Sequence, residues 1–254
     1  MAIPAKTIDE VLSELDSIID ITIKENNFLG IFAYVYRRTT AQIKQAVSEK
    51  QFEDNQRMEL MDVTFANLYL KAYTDYRVGK PCSESWNAAF TSRKESITII
   101  QHLMLGMNAH INLDLGIAAA EIAQGKQLSD LKNDFMKVNQ ILNDLTNEMQ
   151  ERLSKVSKLM FLLDWLGRNT DELIVGFSMV KAREQAWNLA QLLSFTNEND
   201  KKAVIDTSDK VIAQLGQVIK RPPGKLLNMV LRFIASFEEK DVKTIIEKLR
   251  KENV

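Results

Sequence analysis

The chain has 254 residues, 45% of them hydrophobic and 26% charged, with a formal net charge of −1. That is the composition of a soluble globular protein long enough to bury a substantial core. The near-zero charge gives no global field for nucleic acid or an anionic membrane, and basic residues never run beyond pairs such as Arg37-Arg38 and Lys220-Arg221.

Helical signals dominate from the start. Thr7-Ile8-Asp9-Glu10 has capping-box spacing, and Val11, Leu12, Leu15, Ile18 and Ile19 follow as an apolar stripe. Ile19 to Lys24 alternates and is the best candidate for a strand, although a helix-terminal turn explains it as well. A second helix is expected from Phe28 to Tyr36, and a third, capped by Thr39 or Thr40, carries Ile43, Ala46 and Val47. Asp54 or Asn55 starts a long fourth helix through Met58, Met61, Phe65, Leu68 and Tyr69, which stops near Val78-Gly79-Lys80-Pro81.

Ser83 opens a short helix with Trp86, Ala89 and Phe90 inward. Thr91 or Ser92 then caps a central apolar segment, Ile97 to Ala123, expected to be the most buried element and to end near Gly125. Ser129 or Asp130 opens an amphipathic helix to about Leu153, followed by a short apolar stretch from Leu159 to Leu166. Asn169 or Thr170 caps a helix through Phe177, Trp187 and Leu193, and Val204 to Ile219 forms another. Arg221-Pro222-Pro223-Gly224 is the clearest break, and two last helices cover Lys225 to Ser236 and Asp241 to Lys251. The expectation is an all-α protein, one multi-helix domain over 1–254 around a central buried helix, with 225–251 docked on it as a helical hairpin.

The central segment is too polar to cross a membrane, since it carries Gln101, His102, Asn108, His110, Asn112, Asp114 and Glu121. The start, Met-Ala-Ile-Pro-Ala-Lys, shows no signal peptide. The lone Cys82 excludes an intrachain disulfide. A cytoplasmic setting is therefore expected.

His110 and Asp114 are four residues apart, so on a helix they stack on one face. Asn108 and Asn112 form a second stacked pair. Imidazole and carboxylate together suit zinc, iron or manganese, and Asp62 on the fourth helix is the best further ligand. The same three residues without metal make an acid–base set, in which Asp114 orients His110. The only other histidine, His102, lies two turns away, and no nucleophile stands out. Asn108 and Asn112 would orient substrate, and Arg37 or Arg38 would hold a carboxylate or phosphate; cations at a helix C-terminus are equally an electrostatic commonplace. Trp86, Trp187 and the methionines read as packing.

The run from Leu105 to Leu115 resembles the signature of a family of uncharacterised, mainly bacterial proteins, catalogued as domain of unknown function number 5995. The resemblance extends through Phe32-Ala33, Tyr36 to Thr39, Phe52 to Asp54, Met58-Glu59, Asp62-Val63, Phe65-Ala66, Tyr69, Trp86 and Ala89-Phe90, with weaker echoes in Asp164 and Arg183 to Trp187. That family implies no activity. A fainter similarity links Leu105-Gly106, His110 and Asp114 to zinc-dependent phospholipase C, but the next histidine of that pattern is missing; Ala120 and Glu121 stand there instead.

Two functions compete. The preferred one is a hydrolase acting on a small or lipid-like substrate, either metal-dependent or using the His110–Asp114 pair as acid and base. Four polar residues within seven positions of a core helix favour it. The alternative is a non-catalytic helical binding or scaffold protein whose buried polar network sets helix register. A homodimer through the central apolar segment is a further expectation.

Overall fold

The protein is described by a computed structural model that covers residues 3–123, 128–157, 159 and 179–250, with backbone alone at 142–151 and 154. Every regular element among the described residues is helical. In chain order these are α1 (Ile8–Lys24), α2 (Leu29–Ser48), α3 (Asn55–Arg77) and α4 (Glu84–Thr91), followed by a 3-10 turn at Ser92–Lys94. Next come α5 (Ile99–Ala109), a π turn (His110–Asp114) and α6 (Leu115–Ile122), which run end to end. A 3-10 turn at Leu128–Leu131 leads into α7 (Lys132–Val156). The last four are α8 (Met179–Phe195), α9 (Glu198–Lys220), α10 (Lys225–Phe237) and α11 (Val242–Arg250). No helix of the described residues is long and apolar enough to cross a membrane.

Several starts follow from local chemistry. The Thr7 hydroxyl accepts from the Glu10 N–H at 3.2 Å, and the Asp54 carboxylate from the Arg57 N–H at 2.9 Å. Gly79 and Gly224 take φ of +74° and +106°, which a side chain would strain. Ile19 to Lys24 is the last part of α1, so the alternation there is helical.

Two expected boundaries moved. The second and third expected helices are one, α2. Thr39 does not cap; its hydroxyl donates to the Val35 carbonyl one turn back at 3.2 Å. Tyr36, Thr40 and Ile43 continue the buried stripe across the expected break, and packing on α1 and α5 overrides the local signal. The central segment is capped by Thr98, in a reciprocal box with Gln101, because Ser92 goes instead into the 3-10 turn. Gly125, all but Leu159 of the expected Leu159 to Leu166 stretch, the caps Asn169 and Thr170, Phe177 and Lys251 lie outside the described residues.

The central segment is the hub, as its apolar content requires. From Thr98 to Ala123 only Glu121 is exposed. α5 packs on α2, α4 and α9; α6 packs on α3 and α8; the π turn touches α3, α8 and α9. Its apolar faces are thus largely covered within the chain. Gly106 and Gly116 allow the closest approaches. A Cβ on Gly106 would stand 2.5 Å from the Phe32 ring, and one on Gly116 2.8 Å from the Ala186 carbonyl oxygen. α11 buries Val242, Ile245, Ile246 and Leu249 in the main core, against α1, α2 and α7.

Candidate functional site

The π turn begins at His110 and ends at Asp114. Its widened geometry is visible in the Leu115 N–H, which bonds back to the His110 carbonyl five residues earlier. The expected pair survives this change: His110 Nδ1 lies 2.9 Å from Asp114 Oδ2. The Trp86 indole N–H, from α4, donates to the same oxygen at 2.9 Å. Both residues are at most 4% exposed.

Five aromatic rings surround the imidazole. Phe65 stacks on it with centroids 3.6 Å apart, and the Tyr36 ring meets it edge-on at 4.4 Å. Phe32, Trp86 and Tyr69 stand at 5.8, 5.8 and 5.9 Å. Those rings come from α2, α3 and α4, so three helices converge on one side chain. Burial pushes the imidazole well below its ordinary pKa and the Asp114 carboxyl well above its own, the carboxyl shift opposed by the Trp86 hydrogen bond. Both shifts favour the uncharged forms, and either atom of the Nδ1–Oδ2 hydrogen bond can be its donor, according to the imidazole tautomer. His110 Nε2 has no hydrogen-bond partner among the described residues.

Asp62 sits on α3, one turn before Phe65. The residue as a whole is half-buried, but its Oδ2 is inaccessible and unpartnered among the described residues. Burial, and then the neighbouring Glu59, raise its pKa to about 7. No ion pair or hydrogen bond joins Asp62 to His110 or Asp114. Tyr36 Oη and Thr40 Oγ1, one turn apart on α2, are likewise buried and unpartnered among the described residues. Burial raises the Tyr36 phenol's pKa, the Asp62 carboxylate raises it further, and the neighbouring Thr40 hydroxyl lowers it. Leaving such atoms unpaired costs about 1–3 kcal/mol each.

The remaining expected site residues lie elsewhere. Asn112 donates to the Asn108 side-chain oxygen at 3.0 Å, and Asn108 donates to the Ile212 carbonyl of α9 at 2.9 Å. This second network faces α9, away from the rings around His110. Arg37 grips Asp16 of α1 with two bonds of 2.6 and 2.9 Å, which ties the two helices together. Arg38 is half-buried and engaged within the chain. His102 touches Phe28 and lies 3.3 Å from the Ser92 hydroxyl, apart from His110. Sequence reasoning missed Trp86 as the donor to Asp114 and the unpaired hydroxyls of Tyr36 and Thr40. From the sequence, Trp86 reads as packing and Tyr36 as the end of the second helix, and both also belong to the family pattern.

The metal expectation fails here. Among the described residues no group of three or more His, Cys, Asp or Glu side chains could hold a metal ion. His110 and Asp114 supply two ligands already committed to each other, and Asp62 joins neither, so a zinc, iron or manganese site at His110, Asp114 and Asp62 is overturned. The hydrolase expectation falls with it. Its acid–base form also needs an imidazole that substrate can reach, and His110 is 2% exposed beneath Phe65.

Residues 8–222 match the model of a protein family described as "Family of unknown function (DUF5995)". The chain belongs to this family. The match spans the whole ring cluster and both polar networks, and ends three residues before Lys225, where α10 begins. No curated protein and no solved structure matches the chain, so the likeness to zinc-dependent phospholipase C gains no support.

Proposed function

We propose that this member of the DUF5995 family is a non-catalytic helical scaffold and binding protein, folded as one domain. Its buried polar groups hold the central segment in register. One observation carries the reading: Asp114 Oδ2 is shared by His110 Nδ1 and Trp86 Nε1, with the pair packed inside aromatic rings from three other helices. A side slip of α4 or α5 would break both bonds and unstack His110 from Phe65. The Asn112–Asn108–Ile212 chain does the same on the α9 side. Networks of this kind specify one packing among several apolar ones.

Removing one member strands the others. His110→Gln and Asp114→Asn should each cost about 1–3 kcal/mol, and a chain of this size loses roughly 2–4 °C of Tm per kcal/mol. Thermal unfolding of both variants decides the matter. Unchanged or raised Tm values would overturn the framework role.

The binding half of the reading rests on surface. α10 exposes Leu226, Met229, Phe233 and Phe237 along one face, with the last two rings 4.8 Å apart. A stripe of that spacing suits a second copy of the chain, and it supports a homodimer through this face. Sedimentation at several concentrations, with Phe233→Ser as the control, tests it: a concentration-independent monomer would remove the dimer. A reducing cytoplasmic setting completes the proposal, supported by the lone Cys82, half-buried and unpaired.

A further inference from the structure

The outward face of α10 combines an apolar stripe with charge of one sign. Leu226, Met229, Phe233 and Phe237 are 50–68% exposed along it, whereas Leu227, Leu231 and Ile234 on the inward side are buried. A helix turns about 100° per residue, so Lys225 and Arg232, seven apart, fall on one line about 110° from the middle of the stripe, on the flank away from the buried side. Both are exposed, and neither has an ion pair or hydrogen bond among the described residues. From Lys210 to Phe237 the chain carries five basic residues and no Asp or Glu. Lys220 is taken up by Glu95 at 2.7 Å, which leaves Arg221, Lys225 and Arg232 on α10 and just before it. The acids that follow are occupied. Glu238 accepts from the Ile99 N–H at 2.7 Å, and Glu239 pairs with Lys248 at 3.4 Å. In a chain of net charge −1 this run is a local basic excess.

We propose that α10 docks on the surface of a bilayer containing anionic lipid. The four apolar side chains enter the boundary between headgroups and acyl chains, and Arg221, Lys225 and Arg232 meet the headgroup phosphates. A helix with large apolar residues on one face and cations beside them lies in that boundary, because long basic side chains reach up to the headgroups from it. α10 has 13 residues, too few to cross a bilayer and enough to lie on one. Charge selects this partner over others. Pairing α10 with itself across a two-fold axis sets its cations against the same cations, with no acid on the helix to answer them. An anionic surface supplies the opposite sign. The docking rests on the reading of α10 as the binding face and deepens it: in solution a second copy covers the stripe, and an anionic bilayer takes that copy's place.

Flotation of the full chain with vesicles tests the docking. Vesicles of phosphatidylcholine with phosphatidylserine should carry the protein up the gradient at low salt, and phosphatidylcholine alone far less. Added salt should release it, because screening shortens the reach of the surface charge. Phe233→Ser should weaken binding about tenfold or more. Lys225→Gln combined with Arg232→Gln should weaken it roughly thirtyfold. All three side chains are exposed, so these variants should keep the wild-type Tm. Phe195→Ser, at the exposed end of α8, is the control and should leave binding unchanged. Sedimentation without vesicles separates the docking from the dimer, since the double charge variant should favour self-association while weakening vesicle binding. A monomer that floats with the anionic vesicles supports the docking and removes only the dimer. A dimer that does not float overturns the docking and leaves the second copy as the occupant. Equal binding to both kinds of vesicle, or binding that survives Phe233→Ser, overturns it as well.

Discussion

At the scale of single residues, Asp62 is the group whose environment differs most usefully from that of the unfolded chain. Its carboxyl titrates near 3.8 when solvated and at about 7 in the fold, chiefly because its Oδ2 is cut off from water. Between those values the folded chain holds a proton that the unfolded chain has released. Stability from this group is therefore complete below 3.8 and declines as pH rises through the window to about 7. Asp62→Asn cannot ionise and should remove that decline, so the variant gains on the wild type steadily from acid to neutral pH. Urea midpoints across the window read this directly, and parallel curves would show that Asp62 is solvated. His102 acts in the opposite sense, since burial, Lys240 and Lys220 lower its pKa to about 4 and acidification below 6.5 costs stability. The difference between the Asp62→Asn curve and the wild-type curve cancels the histidine.

At the scale of elements, the central segment depends on close approach. Phe32 is held by Tyr36, Tyr69, Trp86 and His110, so it has little freedom to retreat from a new methyl on Gly106. Gly106→Ala should lower stability by about 1–3 kcal/mol despite the better helix propensity of alanine. An unchanged Tm would mean that Phe32 shifts freely. The start of α4 is held in a different way. Asp209, one turn from Ile212 on α9, accepts from the Glu84 N–H at 2.6 Å, the Ser85 N–H at 2.9 Å and the Ser85 hydroxyl at 2.6 Å. This is a cap supplied by another helix, and it fixes the height of Trp86 over Asp114. Asp209→Ala should cost about 1–2 kcal/mol, with a change in tryptophan fluorescence as α4 loosens. A stability loss without any change in fluorescence would show that Trp86 is held by packing alone.

At the scale of the whole molecule, the last helix matters more than the family match suggests. That match ends at residue 222, yet α11 places four fully buried side chains in the main core. The Tyr34 hydroxyl and Arg152 Nη1 both donate to the Leu249 carbonyl, at 3.1 and 2.7 Å. Val242 N–H is held by Asn26 at 2.8 Å, so the chain returns to the turn that joins α1 to α2. Removing residues 241–254 should expose a strip of α1, α2 and α7 and lower the urea midpoint sharply, with binding of a hydrophobic dye by the shortened chain. Unfolding as cooperative and as late as that of the full chain would show the core to be complete without α11.

The sequence by itself determined the elements. Caps at Thr7, Asp54 and Ser83, apolar stripes at helical spacing and the Pro-Pro-Gly break all act within a few residues, so they read correctly before any fold is known. The contact of His110 with Asp114 was legible for the same reason, and it persists through the π turn. Tertiary structure alone decided what that contact means. Four polar residues in seven positions looked like one site, but Asn108 and Asn112 turn to α9 while His110 and Asp114 turn to α2, α3 and α4. Asp62 shares the right helix face yet stops short of both, and Trp86, a core aromatic by composition, became the third member of the pair. Register between helices depends on how whole faces interlock, at Gly106 against Phe32 and at Asp209 against Ser85, and those fits involve residues up to 124 positions apart.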